Sequence, residues 1–506
     1  PSQPPELIEE QEDDHDHAHT HAHAHPHATP SDPNEPHFSI SGQAFIPATA
    51  ESQQNQQEGD AYSIEQILQL CRSSVSSQRA LFFGILARVL VSYPPTSSQS
   101  STVSSQGASQ LITPDARAAT TKGAQELLIS REVHTRSSLL ATWMLADKAR
   151  NVREVALECL TVALSFLPAS LVLRRALTLN TSEAQRKEQA ESARIDTMHD
   201  AVREMLAMQV VEKIQACLRE AGTVAVKQQC LTTLEILSTH DVTAARLISS
   251  SPGIMDACLR FLDDDSNEGG SDAGASVLRL CLSLALTHRD AASALAQRSQ
   301  LFSAISRMLY TKPWEDEGGQ PDHLSTLNIA IQFLAALAKY GYGLSSASLF
   351  WNGLADLCQC TNLLKSSPAL LELQASVFEI FEIWTICAED PHASTQGGHD
   401  IVWDVVKDLP RYSLATLQQA ASAEDAAALK QISTLKCIAA AAGHARAAVV
   451  GARRHTQTPN GPIADESAVA LRSSFAKIAP ELQAEMEVRV AEGDLKVARG
   501  ALEVAR

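Results

Sequence analysis

The sequence predicts an all-α fold, an irregular HEAT- or armadillo-like helical solenoid behind a disordered, acidic, His-rich N-terminal tail. Apolar residues make up 44% of the chain but aromatic residues only 5%, which suits helices packed through small side chains better than β-sheets. From about residue 62 onward, apolar residues recur with the helical period between polar loops. The 506 residues exceed what one compact core supports, so an extended array is expected.

The tail, residues 1–60, holds most of the charge imbalance of the chain. It contains twelve Asp or Glu residues and no Lys or Arg, whereas the whole chain has a net charge of −18. Its abundance of Pro, Gln, His and acidic residues predicts disorder, except in the apolar segment 38–47. The balanced charge elsewhere lacks the basic footprint that binds phosphate backbones, so direct nucleic-acid binding is not expected.

The first structured element, at 61–93, is predicted to be a pair of amphipathic helices. Ser63 and Gln66 have the spacing of a capping box, in which each side chain satisfies a free backbone N–H group. Residues 73–78 turn the chain, and apolar residues then repeat the helical period to Leu90. Neither helix can bury its apolar stripe alone, so the pair should begin a stack. The first stripe comprises Ile64, Ile67, Leu68 and Cys71.

Three segments of the chain carry recognisable motifs. The helical pair has a Tyr-Ser start, an Arg-Ser after the first helix and a Gln-Arg before the second, at Tyr62, Ser63, Arg72, Ser73, Gln78 and Arg79. Segment 38–47 is a short apolar stretch around a glycine, and 327–343 is predicted to be a helix that ends in a Tyr-Gly turn. These motifs resemble the C-terminal region of the RNA polymerase II-associated protein 1 family, in which the pair starts with Tyr-Ser/Thr. One departure is that the His run here precedes the apolar segment.

This resemblance implies a non-catalytic assembly or adaptor factor. Family members act in RNA polymerase II assembly, nuclear import and transcription by stoichiometric protein binding, and they occur in the nucleus and the cytoplasm. The implied partners are RNA polymerase II subunits and assembly or import factors. The family's N-terminal region, also implicated in polymerase contact, has no counterpart in this chain. The chain opens at Pro1 rather than Met, which indicates a piece of a longer protein or an incomplete gene model.

After the first pair, a Ser-rich linker at 94–119 precedes the predicted solenoid at 120–477. We expect helix pairs spaced by about 35–50 residues, as in degenerate HEAT or armadillo arrays. Segment 181–200 is polar and forms either a solvated helix extension or an insertion loop. The charged helix at 478–506 either ends the solenoid or meets a partner. The predicted helices lie at 152–167, 205–218, 224–237, 254–262, 275–286, 301–309, 324–338 and 369–386.

The tail contains seven histidines at alternate positions beside three aspartates. In an extended chain this spacing brings imidazoles to one side, where they could bind zinc, copper or nickel loosely. The alternative, which we favour, is a low-complexity tract without a metal function, so no metal site is assigned. The weak candidates are His15, His17, His19, His21, His23, His25 and His27.

Four residues are candidates for partner binding: Arg72, Gln78 and Arg79 in the polar corner, and Trp314. The corner could be a recognition loop. It could equally be structural, with Ser76 or Ser77 capping the second helix and Arg72 satisfying carbonyl groups, and this is the favoured interpretation. Trp314 lies in the polar loop KPWEDEGG, where exposure would make it a partner anchor.

Several function classes are excluded by what the sequence lacks. No nucleotide-binding, zinc-protease or nucleophile-elbow motif occurs, so we predict neither an enzyme nor a cofactor. The ten cysteines are mostly single and on apolar helical faces, which indicates small buried hydrophobic residues.

No apolar run is long enough to span a membrane. The alternative function is a generic armadillo- or HEAT-type adaptor in nuclear transport or as a chaperone cofactor, and a third class is a metal buffer acting through the His tract.

Overall fold

The chain is an all-α helical solenoid with a very small β-sheet at its N-terminal end. Its computed structural model describes residues 37–45, 62–92, 131–165, 201–263, 270–315, 321–363, 365–388, 401, 403–422 and 431–456. The predictions for the His tract, the 94–119 linker, segment 181–200 and the 478–506 helix lie outside these residues.

The first half of the described chain contains three short strands followed by helix pairs. A further helical segment at 201–207 precedes α5. The elements are β1 (His37–Phe38), β2 (Ala44–Phe45), β3 (Tyr62–Ser63), α1 (Ile64–Leu70), α2 (Ser76–Ser92), α3 (Arg131–Met144), α4 (Arg150–Ser165), α5 (Val210–Glu220) and α6 (Val224–His240).

The second half contains long helices alternating with short ones. A 3₁₀ helix at Leu344–Leu349 takes the place of one short α-helix. The helices are α7 (Val242–Ser250), α8 (Pro252–Asp263), α9 (Gly270–Thr287), α10 (Arg289–Ala296), α11 (Ser299–Tyr310), α12 (Pro321–Lys339), α13 (Trp351–Cys360), α14 (Pro368–Ala388), α15 (Trp403–Val406), α16 (Pro410–Ser422) and α17 (Ile432–Thr456).

The three strands form one antiparallel sheet in the order β2-β1-β3. Gly42, with φ of +83°, closes the β1–β2 hairpin, and a Cβ there would lie 2.9 Å from Cβ of Arg88 in α2. Phe38 is 1% exposed and joins the hydrophobic core. The apolar segment around a glycine is therefore a hairpin held against α2.

Local sequence explains where several helices begin and end. The predicted capping box is confirmed, because Gln66 N–H donates to Ser63 Oγ and Ser63 N–H donates to Gln66 Oε1. Gly341, with φ of +80°, ends α12 in a Schellman motif, in which Tyr342 N–H donates to Leu337 O and Gly341 N–H donates to Ala338 O. Positive φ at this position favours glycine.

Seven helices, α2, α4, α6, α9, α12, α14 and α17, form what we call the long row. Each packs on the next from α2 to α17. A second row, α5, α8, α11, α13 and α16, packs in the same sequential way and covers the long row. Because each helix packs on its neighbours in these rows, the described helices share one continuous core, as in a solenoid.

Neighbouring helices of the long row run parallel. Between α6 and α9, Glu235 pairs with Arg279 and, one turn further along both helices, Ser238 Oγ bonds to Ser283 Oγ at 2.7 Å. The contacts between α14 and α17 also advance together along both helices. The long row therefore has a starting edge, where its helices begin, and an ending edge, where they finish.

The expectation of helix pairs holds only for part of the chain. From residue 242 to 456 each unit has three helices, because a short helix (α7, α10, the 3₁₀ helix or α15) precedes the second-row helix. The predicted helix at 205–218 is also wrong as a single element. It breaks at Met208 and Gln209, and Gln209 has φ of +58°. Nothing in the apolar period marks this break.

The helix α14 occupies the centre of the second half. As its sequence predicts, it is buried on most sides, and Phe378, Ile380 and Phe381 are completely inaccessible. Trp384 stacks on Trp351 of α13 with ring centroids 5.7 Å apart. Contacts with α12, α13, α15 and α17 account for this burial.

Candidate interaction surfaces

The polar corner between α1 and α2 is held by Arg79. Its Nη1 donates to Ser73 O at 2.7 Å and to Ser74 O at 2.8 Å. Its Nη2 pairs with Asp147 Oδ2 at 2.8 Å, and the two side chains are only 13% and 10% exposed. The corner carbonyl groups are thus satisfied from the second helix, and the same arginine joins the first pair to the second.

The corner between α3 and α4 repeats this arrangement. Arg153 Nη1 donates to Asp147 O at 2.8 Å and to Lys148 O at 3.4 Å, and Nη2 pairs with Glu220. Asp147 Oδ1 accepts from Ala149 N–H, as Ser73 Oγ accepts from Val75 N–H in the first corner. We call the two arginines with their acidic partners the corner clamps.

The clamps follow a regular spacing at the start of the chain. The helices α2, α4 and α6 begin at residues 76, 150 and 224, at equal intervals. At the corresponding position of α6, Lys227 instead lies over the ring of Phe261, 4.7 Å from its centroid. The clamps place all three helix starts at one edge, because each clamp joins one corner to the next.

The structure places the predicted corner residues in two different environments. Arg72 and Gln78 are exposed, and Gln78 Oε1 accepts from Ser73 Oγ at 2.6 Å. Arg79 is largely buried in its clamp. The two interpretations of the corner stay predictions, but the residues named for the structural one were wrong. Arg79, not Arg72, satisfies the carbonyl groups, and Ser76 begins α2 itself.

Trp314 is not the exposed anchor that its polar loop suggested. It is half-buried and packs against the hydrophobic core. Its Nε1 is buried and has no hydrogen-bond partner among the described residues. Since the side chain already packs on the core, a structural role explains its position.

A belt of basic and aromatic side chains lies along the ending edge. Arg246 Nη2 is 3.2 Å from His288 Nε2, and Arg289 Nε donates to Tyr342 OH at 3.2 Å. The guanidinium carbon of Arg289 is 5.9 Å from the Tyr342 ring centroid. We call this belt the basic ridge, and it comprises Arg246, His288, Arg289, Lys339, Tyr340 and Tyr342. Sequence patterns missed it because its members come from three separate units.

Two histidines are buried in the helical core. His444 is inaccessible, its Nδ1 lies 2.7 Å from Ser413 Oγ, and it stacks on Phe378. Burial lowers its pKa to about 3 and lowers the pKa of His134 to about 4. The Ser413–His444 pair has no route to solvent, so a structural role fits it better than a nucleophilic one.

The cysteines behave as the sequence predicts. Nine of the ten are buried, and only Cys360 is exposed. Burial raises the pKa of Cys71 and of Cys258 to about 12, so these thiols stay protonated at neutral pH. Among the described residues, no group of three or more His, Cys, Asp or Glu side chains could hold a metal ion. The histidines of the tail, His15 to His27, lie outside those residues.

Comparison with known proteins gives little beyond this geometry. No protein-family model matches the chain, and no curated protein matches it. Two solved structures of engineered proteins are similar to it. One is 12% identical with a TM-score of 0.37 and covers 63% of this chain and 97% of its own. The other is 14% identical with a TM-score of 0.36 and covers 87% and 97%. None of the described helices combines the length and the apolar character needed to cross a membrane.

Proposed function

We propose that this chain is a non-catalytic adaptor that binds other proteins in stoichiometric complexes along its helical rows. The observation that supports this most directly is the continuous long row, in which seven helices pack one on the next. Such rows present extended surfaces rather than a single pocket, and they suit the assembly of large complexes.

We further propose that the complexes contain RNA polymerase II and its assembly or import factors. The support is the resemblance of the first helical pair to the RNA polymerase II-associated protein 1 family. The positions that carry it include Arg72, Gln78 and Arg79, of which the first two are exposed on the corner. On this proposal the chain acts in polymerase assembly, nuclear import and transcription, and it occurs in both nucleus and cytoplasm.

A second candidate is a generic armadillo-type adaptor in nuclear transport or as a chaperone cofactor. The observation in its favour is the three-helix unit of residues 242–456, since armadillo repeats have two or three helices in about 40–47 residues. The long-row helices α6, α9, α12 and α14 begin at residues 224, 270, 321 and 368, close to that spacing.

The two candidates are separated by the partners that co-purify with the tagged chain. We expect near-stoichiometric RNA polymerase II subunits in quantitative mass spectrometry after purification at moderate salt. A matched sample of the Arg72→Ala/Gln78→Ala variant should retain less polymerase, because these two positions carry the family resemblance. Since both side chains are exposed, the fold should be unaffected. Importins or chaperones without polymerase subunits would contradict the first candidate and support the second.

A further inference from the structure

The basic ridge carries positive charge on a chain that is acidic overall. Arg246, Arg289 and Lys339 are exposed there. The acidic side chains nearest in sequence are Asp241 and Asp290. Asp241 accepts hydrogen bonds from backbone N–H groups at the start of α7, and Asp290 is exposed beside His288. The ridge therefore holds three cations, and of the two carboxylates close to Arg246 and Arg289 in sequence, one already caps a helix.

Apolar side chains accompany these charges. Leu247 of α7 is 38% exposed, Leu286 in the last turn of α9 is 42% exposed, and Leu349 at the end of the 3₁₀ helix is 48% exposed. Each lies close in sequence to a member of the ridge. The ridge therefore offers a mixed surface of positive charge and aliphatic side chains, which suits a segment that combines carboxylates with aliphatic residues.

The opposite edge carries charges of both signs, and its carboxylates are already paired. At the starting edge Glu220 pairs with Arg153, and Glu315 pairs with Lys312. Among the described residues, no carboxylate forms an ion pair with Arg246, Arg289 or Lys339 of the ridge. The positive charge of the ridge therefore remains available to an acidic segment.

The chain itself contains a matching segment. Residues 6–16, ELIEEQEDDHD, hold seven carboxylates, no Lys or Arg, and the aliphatic pair Leu7-Ile8. The described chain begins at His37 in β1, whose hairpin packs on Arg88 and Val89. These residues lie near the end of α2, and so at the ending edge.

The connection is long enough for this segment to reach the ridge. About 20 residues separate residue 16 from β1, and at ~3.3 Å per residue they span up to roughly 65 Å. Helices pack at about 8–10 Å, so the four steps along the long row from α2 to α12 require roughly 40 Å. The geometry therefore permits docking within one molecule.

We propose that residues 6–16 dock on the basic ridge of the same molecule, with carboxylates against Arg246, Arg289 and Lys339 and Leu7-Ile8 against the exposed leucines. The tail then occupies the surface that an acidic segment of a partner would use. This inference does not depend on the identity of the partner complex.

Carbodiimide cross-linking of the full-length chain tests the docking, because the reagent joins carboxylates to lysine amines in contact. We expect amide links from residues 6–16 to Lys339 in the monomeric product, identified by peptide mapping. Lys365, exposed at the starting edge, serves as the internal control and should show few links to the tail. Raising the salt from roughly 0.05 to 0.5 M should reduce the Lys339 links several-fold.

Two variants sharpen the test. Glu9→Gln/Glu10→Gln/Glu12→Gln leaves other carboxylates available for linking and changes no described residue, and it should lower the Lys339 links roughly tenfold. Glu35→Gln/Glu51→Gln/Glu58→Gln removes the same charge elsewhere and should leave them unchanged. Equal linking to Lys339 and Lys365, equal effects of the two variants, or Lys339 links only in a cross-linked dimer would each overturn the proposal.

Discussion

The two halves of the solenoid join their units in different ways. In residues 62–240, helix pairs are connected at the starting edge by the corner clamps, in which Arg79 and Arg153 reach the acidic residue of the next corner. In residues 242–456, three-helix units are connected through apolar contacts, above all those of α14. Lys227, which stands where a third clamp would be, contacts Phe261 instead.

This difference shows that the alignment of neighbouring units and the burial of apolar surface can come from different interactions. A clamp fixes one corner against the next through directed hydrogen bonds, and it contributes most to specificity. A helix that is apolar on most sides contributes mainly burial, and the short helices of the three-helix units provide further contacts. Measurements that remove one contribution at a time can therefore separate the two regions.

The largest effect should come from emptying the centre of the second half. Phe381→Ala removes a completely buried ring from α14 and should destabilise the second half by about 4 kcal/mol, through lost burial and a cavity. Hydrogen exchange of α12, α14 and α17 would measure this change. Ile386→Ala, at a site 54% exposed on the same helix, is the control and should change little. Equal effects would contradict the central role of α14.

Removing a corner clamp should destabilise the protein somewhat less than Phe381→Ala does. The loss of stability should appear in the first half. Arg79→Met leaves Asp147 and two corner carbonyl groups without their partner, and should cost about 3 kcal/mol because the pair is mostly buried. Arg150→Met removes an exposed pair with Glu154 and should cost less than about 0.5 kcal/mol. The protection of α2 and α4 against hydrogen exchange distinguishes the two variants. Similar losses of protection in both would contradict a stabilising role of the Arg79 clamp.

Acidification should weaken both halves, because each contains a buried neutral histidine. Folding holds the pKa of His134 at about 4 and that of His444 at about 3, below the unfolded value, so the unfolded chain takes up protons first. Stability is therefore complete above about pH 6.5 and falls as the pH drops towards the folded values.

Between pH 7.5 and 5.0, each histidine should lose about 2 kcal/mol of stabilisation. Urea unfolding at the two pH values measures the loss. The pH dependence should become smaller in the second half with His444→Gln and in the first half with His134→Gln. A pH dependence that neither variant changes would assign the effect to other groups.

A smaller pair of opposite effects compares glycines of the two halves. Gly341→Ala forces a side chain into positive φ at the end of α12 and should destabilise the protein by about 1–2 kcal/mol. Gly84→Ala in α2 should instead stabilise by about 0.5–1 kcal/mol, because an added Cβ meets only ordinary contacts at 3.7 Å. Thermal melting of both variants tests the signs. A stabilising Gly341→Ala would contradict the Schellman end of α12.

The smallest effect on stability should come from the exposed corner. Arg72→Ala should change the free energy of unfolding by less than about 0.5 kcal/mol, because its side chain is exposed. If the corner is a recognition loop, the same variant should nevertheless lower the yield of co-purified partners several-fold. Lys148→Ala, exposed at the second corner, is the matched control. Equal yields from both variants would leave the corner with a structural role alone.

The fold could be predicted largely because local patterns determine it. The capping box at Ser63, the buried helix α14 and the turn at Gly341 all follow from residues within a few positions of one another. The short helices α7 and α10 were missed because eight or nine residues hold too few turns for a clear apolar period. The break at Gln209 was missed because its left-handed backbone has no glycine to mark it.

The interaction surfaces were harder to predict because they depend on distant residues. The partner of Arg79 lies 68 positions away at Asp147, and the ridge joins Arg246, His288 and Tyr342 from separate units. Trp314 was judged by its polar neighbours, although its ring packs on the core. Sequence spacing describes single helices well, but it does not show which edges meet after stacking.

The distribution of the thiols makes the native chain convenient for spectroscopy. Because nine of the ten cysteines are enclosed in the helical core, a maleimide dye should react with Cys360 alone while the protein stays folded. This places a single fluorophore at the end of α13, without any substitution. An acceptor on a binding partner would then report its distance from that point, so the position of the partner along the rows could be measured on the unaltered protein.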